Sequence, residues 1–309
     1  MIHVLNLIRW KNLLMIAFTQ YLVKYALLLP FRESHSVLVT LSDFHFFLLV
    51  LATVLIAAGG YVINDVYDVE TDRINKPEKL IINKYISEKN ASTLFIILNI
   101  IGVGIGFYLA NGIGKSAFFS IFFIASALLY IYSSSLKQIP VVGNVVVSIV
   151  VALSILLVGL FELVPAMNFY NKAIQTTFLK IIIDYAVFAF MINLVREMVK
   201  DLEDIEGDQQ AEIQTLPVLL GRERANKIVF FTSLVPILFI TYYVVTYLFK
   251  QQLVVGYFLI LVIAPLIYVS IKLLGAKEKT DYKHISLILK LVMLTGMLSL
   301  LLYKFIILN

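Results

Sequence analysis

Residues 44–73 read FHFFLLVLATVLIAAGGYVINDVYDVETDR. From Phe44 to Asn64 there is no Asp, Glu, Lys or Arg. A helix over that stretch, rising about 1.5 Å per residue, covers the roughly 30 Å hydrocarbon core of a bilayer. Directly after it, Asp65, Asp68, Glu70 and Asp72 crowd together ahead of Arg73. A membrane span that ends in a knot of carboxylates raises two questions: how many such spans the chain has, and what the acids hold.

The 309-residue chain is 61% hydrophobic and only 15% charged, against roughly 25% charged residues in soluble domains. Apolar runs of spanning length occur at 12–30, 44–64, 92–110, 116–134, 142–164, 176–199, 226–249, 252–274 and 285–307. They predict an all-α fold, a polytopic membrane protein of about nine transmembrane helices, in one domain over residues 1–309 with no linker or low-complexity tract. Arg9 and Lys11 precede the first run, but no small-residue cleavage site follows it, so it reads as a retained span. With the N-terminus cytoplasmic, 18 of the 25 Lys and Arg fall on the inner side, the asymmetry expected of inner loops. The setting this predicts is the inner membrane of a bacterial or archaeal cell. The +5 net charge then reports topology and not nucleic-acid binding. Gly102 and Gly106 form a small-xxx-small pair suited to close helix packing.

Of the 20 acidic residues, 11 lie in two windows, 64–72 and 197–212, each after a long apolar run and both at the same expected membrane face. Asp65, Asp68 and Asp72 are spaced D-x-x-D-x-x-x-D, and so are Asp201, Asp204 and Asp208. At about 100° per residue each triplet falls within an arc of roughly 60° on a helix, so each forms a carboxylate stripe. Asn64 continues the first stripe, and Asn193 and Glu197 carry the second back into the span. One acid near a span end is ordinarily a cap or a solvated residue. Two matching stripes are harder to explain that way, because stacked like charges repel and nearby hydrocarbon adds to the cost.

A divalent cation removes that cost. The chain has no Cys, and its four His (His3, His35, His45, His284) lack metal-ligand spacing, so thiolate and imidazole sites, disulfides and Cys nucleophiles drop out. Oxygen donors alone select a hard ion, and a few carboxylates completed by water and substrate phosphate is how Mg²⁺ is commonly held. Two facing stripes therefore read as a site for Mg²⁺ and a diphosphate. Arg73 and Lys76 follow the first cluster, and Arg222 and Arg224 trail the second. Cations there would stabilise a leaving diphosphate, although inner-side topology accounts for any one of them equally well. Lys137 is the only cation in the short loop that begins at Tyr132, which strengthens its case as a phosphate contact. Asn12, polar at the start of an apolar helix, needs a hydrogen-bond partner in either packing or substrate.

The run Asn64-Asp65-Val66-Tyr67-Asp68 through Asp72-Arg73-Ile74-Asn75-Lys76-Pro77 resembles the first Asp-rich signature of the UbiA superfamily of intramembrane prenyltransferases. Arg196-Glu197 through Lys200-Asp201, Asp204 and Gly207-Asp208, continuing to Thr215-Leu216-Pro217, resembles its second. Tyr132 to Lys137 followed by Gly143-Asn144, and Arg9 with Asn12, fit its weaker signatures. The resemblance spans essentially the whole chain and implies nine helices around a central cavity, capped at the cytoplasmic mouth, with an isoprenyl diphosphate inside. By that likeness Asn64, Asp68, Asp72, Asp201, Asp204 and Asp208 would coordinate Mg²⁺ bridged to the diphosphate, with Asp65 in support, and Asp68, Asp72, Asp204 and Asp208 would be the catalytic core. Tyr132, Lys137, Arg73 and Lys76 would contact phosphate, and Asn12, Asn64, Asn193 and Lys200 would complete the substrate-binding set.

The chain departs from the family where a longer Pro-Arg-Pro run is common after the first motif: here Lys76-Pro77 leads into Glu78. The second motif looks most like the branch containing digeranylgeranylglyceryl phosphate synthases. That implies transfer from a polyprenyl diphosphate to a lipophilic acceptor within membrane lipid, geranylgeranylglyceryl phosphate above others. The alternative is an aromatic acceptor of quinone biosynthesis, of the 4-hydroxybenzoate, naphthoate or homogentisate type. A cation transporter would place its carboxylates near the bilayer midplane, whereas these gather at one face.

Overall fold

Long apolar segments in lipid must satisfy their backbone groups internally, which leaves the helix as the natural state for each. The computed structural model describes residues 2–307, and residues 1, 308 and 309 lie outside the described residues. Among the described residues nine helices are long and apolar enough to cross a membrane. They are α1 (Trp10–Phe31), α2 (Asp43–Tyr67), α3 (Glu88–Gly112), α4 (Ser116–Ser134), α5 (Val142–Glu162), α6 (Lys172–Gln210), α7 (Arg222–Leu248), α8 (Gln252–Gly275) and α9 (Lys279–Ile306). The chain is an integral, multi-pass membrane protein.

Several helices overrun their apolar stretches into charged sequence, α6, α7 and α9 among them. α6 continues through the acidic window as one 39-residue helix ending at Gln210, well past the expected end at 199. α7 begins at Arg222, after Gly221 turns the chain with φ 80°. α9 begins at Lys279 because Glu278 and Asp281 form a reciprocal capping box, which satisfies backbone donors that would otherwise stand free. Hydropathy follows only the lipid-facing part of a helix, so these charged extensions escape it.

Close approach organises the first half of the bundle. A Cβ placed on Gly102 of α3 would meet Ile56 Cγ1 of α2 at 2.8 Å, and one on Gly106 would meet the Phe122 ring of α4 at 2.4 Å. The small pair thus seats α3 against two neighbours at once, as expected where van der Waals contact drives helix association in lipid. Beside a small cluster of Leu7, Val62, Val69, Ile82 and Ala91, two large buried apolar clusters follow. One is built largely on α1, α2, α5 and the first half of α6, the other on the second half of α6 with α7 to α9.

At the end of the bundle away from the Asp clusters, Lys24 is 1% exposed and Glu162 0% exposed. Lys24 Nζ lies 2.9 Å from Glu162 Oε1 and donates to the Leu41 carbonyl at 2.8 Å. Glu162 Oε2 accepts from the Leu41 amide at 2.9 Å. A buried charge is tolerable only when paired and hydrogen-bonded in this way. Glu162→Ala is therefore expected to cost about 3–5 kcal/mol by leaving the buried ammonium with only the Leu41 carbonyl and the exposed Asp43 carboxylate at 3.8 Å, read as a lower unfolding midpoint in detergent. The double change Lys24→Met with Glu162→Leu is expected to recover much of that loss. An unchanged midpoint in Glu162→Ala would refute this account of the pair.

Candidate active site

The two acidic windows reach the site by different routes. The second is continuous helix, so Asp201, Asp204 and Asp208 share one face of α6 as their spacing predicts. The first is not. α2 ends at Tyr67, Asp68 leaves helical geometry at φ −96° and ψ 7°, and a short helix resumes over Val69–Asn75. The expected single stripe is therefore bent at Asp68. The Asn64 carbonyl still accepts from the Asp68 amide at 2.9 Å, and that of Asp68 from Asp72 at 2.7 Å, so the turn periodicity survives the bend.

The bend delivers the short helix onto α6. Asn75 Nδ2 donates to the Asp204 carbonyl at 3.0 Å, and Asn75 Oδ1 accepts from the Gly207 amide at 3.1 Å. Lys279 at the start of α9 donates to the Asn75 carbonyl at 2.8 Å. A Cβ on Gly207 would sit 2.2 Å from Asn75 Nδ2, so only glycine lets the two segments meet. Neither Asn75 nor Gly207 carries a chemical signature, and both went unassigned in the sequence. The signal was their place inside the two motifs.

Between the clusters lies a cavity of about 870 Å³. All six Asp of the two triplets line it, as do Asn12, Asn64, Lys76, Tyr132, Lys137, Asn193 and Lys200. Arg73, expected at the diphosphate, is exposed and lies off the lining, so the structure does not bring it to the site. The reason is its helical position one residue on from Asp72, which turns it away.

Each stripe is partly neutralised by cations from other elements. Lys76 Nζ approaches Asp204 Oδ2 at 2.5 Å, Lys137 pairs with Asp68, and Arg9 Nη2 meets Asp65 Oδ1 at 2.7 Å. Asn64 donates to Asp68 at 2.5 Å and Asn144 to Asp201 at 2.9 Å. Asn144 is a site residue that sequence spacing could not assign. Gly143 before it lets the Lys137 loop lie against the start of α5, where a Cβ would meet Lys137 Cα at 2.9 Å. Burial and the carboxylates of Asp68 and Asp65 push Asp72 up to about 6. Burial opposes the charge on Lys76, but Asp204 outweighs it and raises the ammonium's pKa.

Among the described residues no three acidic or imidazole side chains converge into a ready-made cation cage. Three buried side-chain oxygens lining the cavity nevertheless stand without a partner among the described residues: Asn64 Oδ1 on the first stripe, Asp204 Oδ1 on the second and Thr215 Oγ1 just beyond it. Unsatisfied buried acceptors are costly, and two of them from opposed motifs fit a hard cation that completes its shell with water and substrate phosphate. That is the habit of Mg²⁺ and not of a closed all-protein site.

Known proteins resemble this chain in sequence and in fold. The digeranylgeranylglyceryl phosphate synthase of Sulfolobus acidocaldarius is 38% identical over 178 residues, 58% of this chain and 58% of that protein. The synthase of the same name from Saccharolobus solfataricus is 35% identical over 238 residues, covering 76% and 78%. The structure of a UbiA homologue from Archaeoglobus fulgidus bound to GPP and Mg²⁺ superposes with a TM-score of 0.57 at 19% identity, over 96% of this chain and 99% of that one. The UbiA prenyltransferase family model matches residues 32–303, which takes in both Asp clusters, spans α2 to α8 in full and nearly all of α9, and the chain belongs to that family.

Proposed function

We propose that this chain is a Mg²⁺-dependent prenyltransferase, a single catalytic unit that moves a geranylgeranyl-type group from a prenyl diphosphate to the lipid acceptor geranylgeranylglyceryl phosphate. The observation that carries this reading is the convergence of two Asp stripes and their lysines at one end of a cavity whose depth is apolar. Ile16, Ile56, Phe122 and Val147 line that depth and suit an isoprenyl tail. The names of the relatives support the lipid acceptor.

Asn64, Asp68, Asp72, Asp201, Asp204 and Asp208 would hold the metal, which when bound neutralises diphosphate charge and favours its departure. Lys76 and Lys137 stand where they can turn from their carboxylates to phosphate oxygens, and Tyr132 lies beside Lys137's loop. The donor C–O bond breaks with its electron pair on the diphosphate. The acceptor's hydroxyl oxygen then bonds to the freed carbon, and the departing diphosphate takes up the hydroxyl proton. The apolar wall keeps water from the cationic carbon, which suppresses hydrolysis. We also infer that the N-terminus and the Asp-lined mouth face the cytoplasm, on the strength of the Lys and Arg distribution.

The direct test offers purified protein in detergent labelled geranylgeranyl diphosphate, Mg²⁺ and one acceptor at a time. Product is expected with geranylgeranylglyceryl phosphate, absent with EDTA, and lowered by about 10²–10³ in Asp68→Ala and Asp204→Ala. Prenylation of 4-hydroxybenzoate in place of the lipid would move the assignment to the aromatic branch, and transfer unaffected by either variant would remove the metal site. Asn75→Ala, which cuts the bridge between motifs without touching substrate, is expected to lower kcat about tenfold with the acceptor KM little changed, because small misplacements of catalytic groups are costly. A shift confined to KM would show that the bridge does not position the clusters. Reporter fusions should give cytoplasmic signal at the N-terminus and external signal at the C-terminus, and the reverse pattern would invert the topology.

A further inference from the structure

The charges around the cavity are not evenly spread. On the side of the two triplets, six carboxylates face three cations, Arg9, Lys76 and Lys137. One to two turns deeper along α6 the balance reverses. Glu197 is buried and takes two cations at once, Lys200 Nζ at 2.9 Å and Arg196 Nη1 at 3.1 Å. A third, Lys290 of α9, reaches the same region and has only a neutral partner, donating to Asn12 Oδ1 at 2.9 Å. Arg196 Nε is buried with no hydrogen-bond partner.

One carboxylate, Glu197, thus pairs with two of the three cations gathered at a place close to hydrocarbon, where unbalanced charge is expensive. Arg196 and Asn12 line the main cavity and also a smaller apolar one of about 130 Å³, which Lys290 lines as well. The cationic cluster therefore stands at the junction of the two. A dianionic headgroup arriving there would satisfy the free Arg196 donor and offset the surplus, and the adjoining apolar cavity, lined by Met15, Phe188 and Met297, would receive hydrocarbon.

We propose that Arg196, Lys200 and Lys290 form a second anion subsite that takes the phosphate monoester of the acceptor lipid. This rests on the reading of the chain as a prenyltransferase with a lipid phosphate acceptor. The cavity is bipolar: its acid-rich end takes cation and diphosphate, its base-rich end takes the acceptor phosphate. The same division sorts the two substrates, since a diphosphate carrying metal is drawn to carboxylates and a bare phosphate is driven from them. It also disfavours neutral acceptors, which leave the surplus charge uncompensated.

The test measures binding by calorimetry on the full chain in detergent, with EDTA and no donor. Geranylgeranylglyceryl phosphate and geranylgeranylglycerol are titrated separately. Wild type is expected to prefer the phosphate lipid by about tenfold or more, the scale of a hydrogen-bonded charge. Lys290→Gln should lose that preference and Lys290→Arg should keep it, while Mg²⁺-dependent binding of geranylgeranyl diphosphate stays within about twofold in both. A preference intact in Lys290→Gln, or lost equally in Lys290→Arg, overturns the subsite. So does a matching loss of donor binding, which would give the cluster to the diphosphate. The transfer assay separates the two readings: Lys290-dependent binding of the phosphate lipid without any prenylated product would sink the proposed function and leave the subsite standing.

Discussion

Six carboxylates brought together at the edge of a low-dielectric bundle repel one another, and the architecture around them answers that repulsion. Each counter-charge comes from a different part of the chain. Arg9 arrives from the start of α1, Lys76 from the segment after the first motif, and Lys137 from the α4–α5 loop. Elements far apart in sequence are thus drawn to one end of the bundle by charge, while apolar packing fixes the rest. The opposite end repeats the logic on a smaller scale, with Lys24 of α1 and Glu162 of α5 closing on the segment just ahead of α2 around one buried pair.

Much of this was legible in the sequence. The nine spans, the two acidic triplets and their shared membrane face follow from hydropathy, cation placement and residue spacing, and each appears in the fold or at the cavity. What escaped is instructive. The helical extensions of α6, α7 and α9 are polar, and a reading by apolar runs stops where lipid contact stops. The bend at Asp68 has no Gly or Pro to announce it. It goes together with the docking of Asn75 on Gly207, a contact between residues far apart in the chain that only the folded state can show.

Arg73 marks the opposite case. Its position directly after the first motif made it an attractive phosphate ligand, yet one residue along a helix is a rotation of about 100°, and the side chain leaves the cavity. Asn144, present in a weaker signature but given no role, is the complementary case. It lies outside both motifs, and it matters because Gly143 brings the Lys137 loop and the start of α5 together beneath Asp201. Identity of residue type announces chemistry, but backbone packing decides which members of a charged stretch take part.

The lysines lying on Asp204 and Asp68 make the counter-charge part of the covalent chain. Such a charge cannot diffuse away, so part of the repulsion among the six carboxylates is answered whatever ions the surrounding solution supplies.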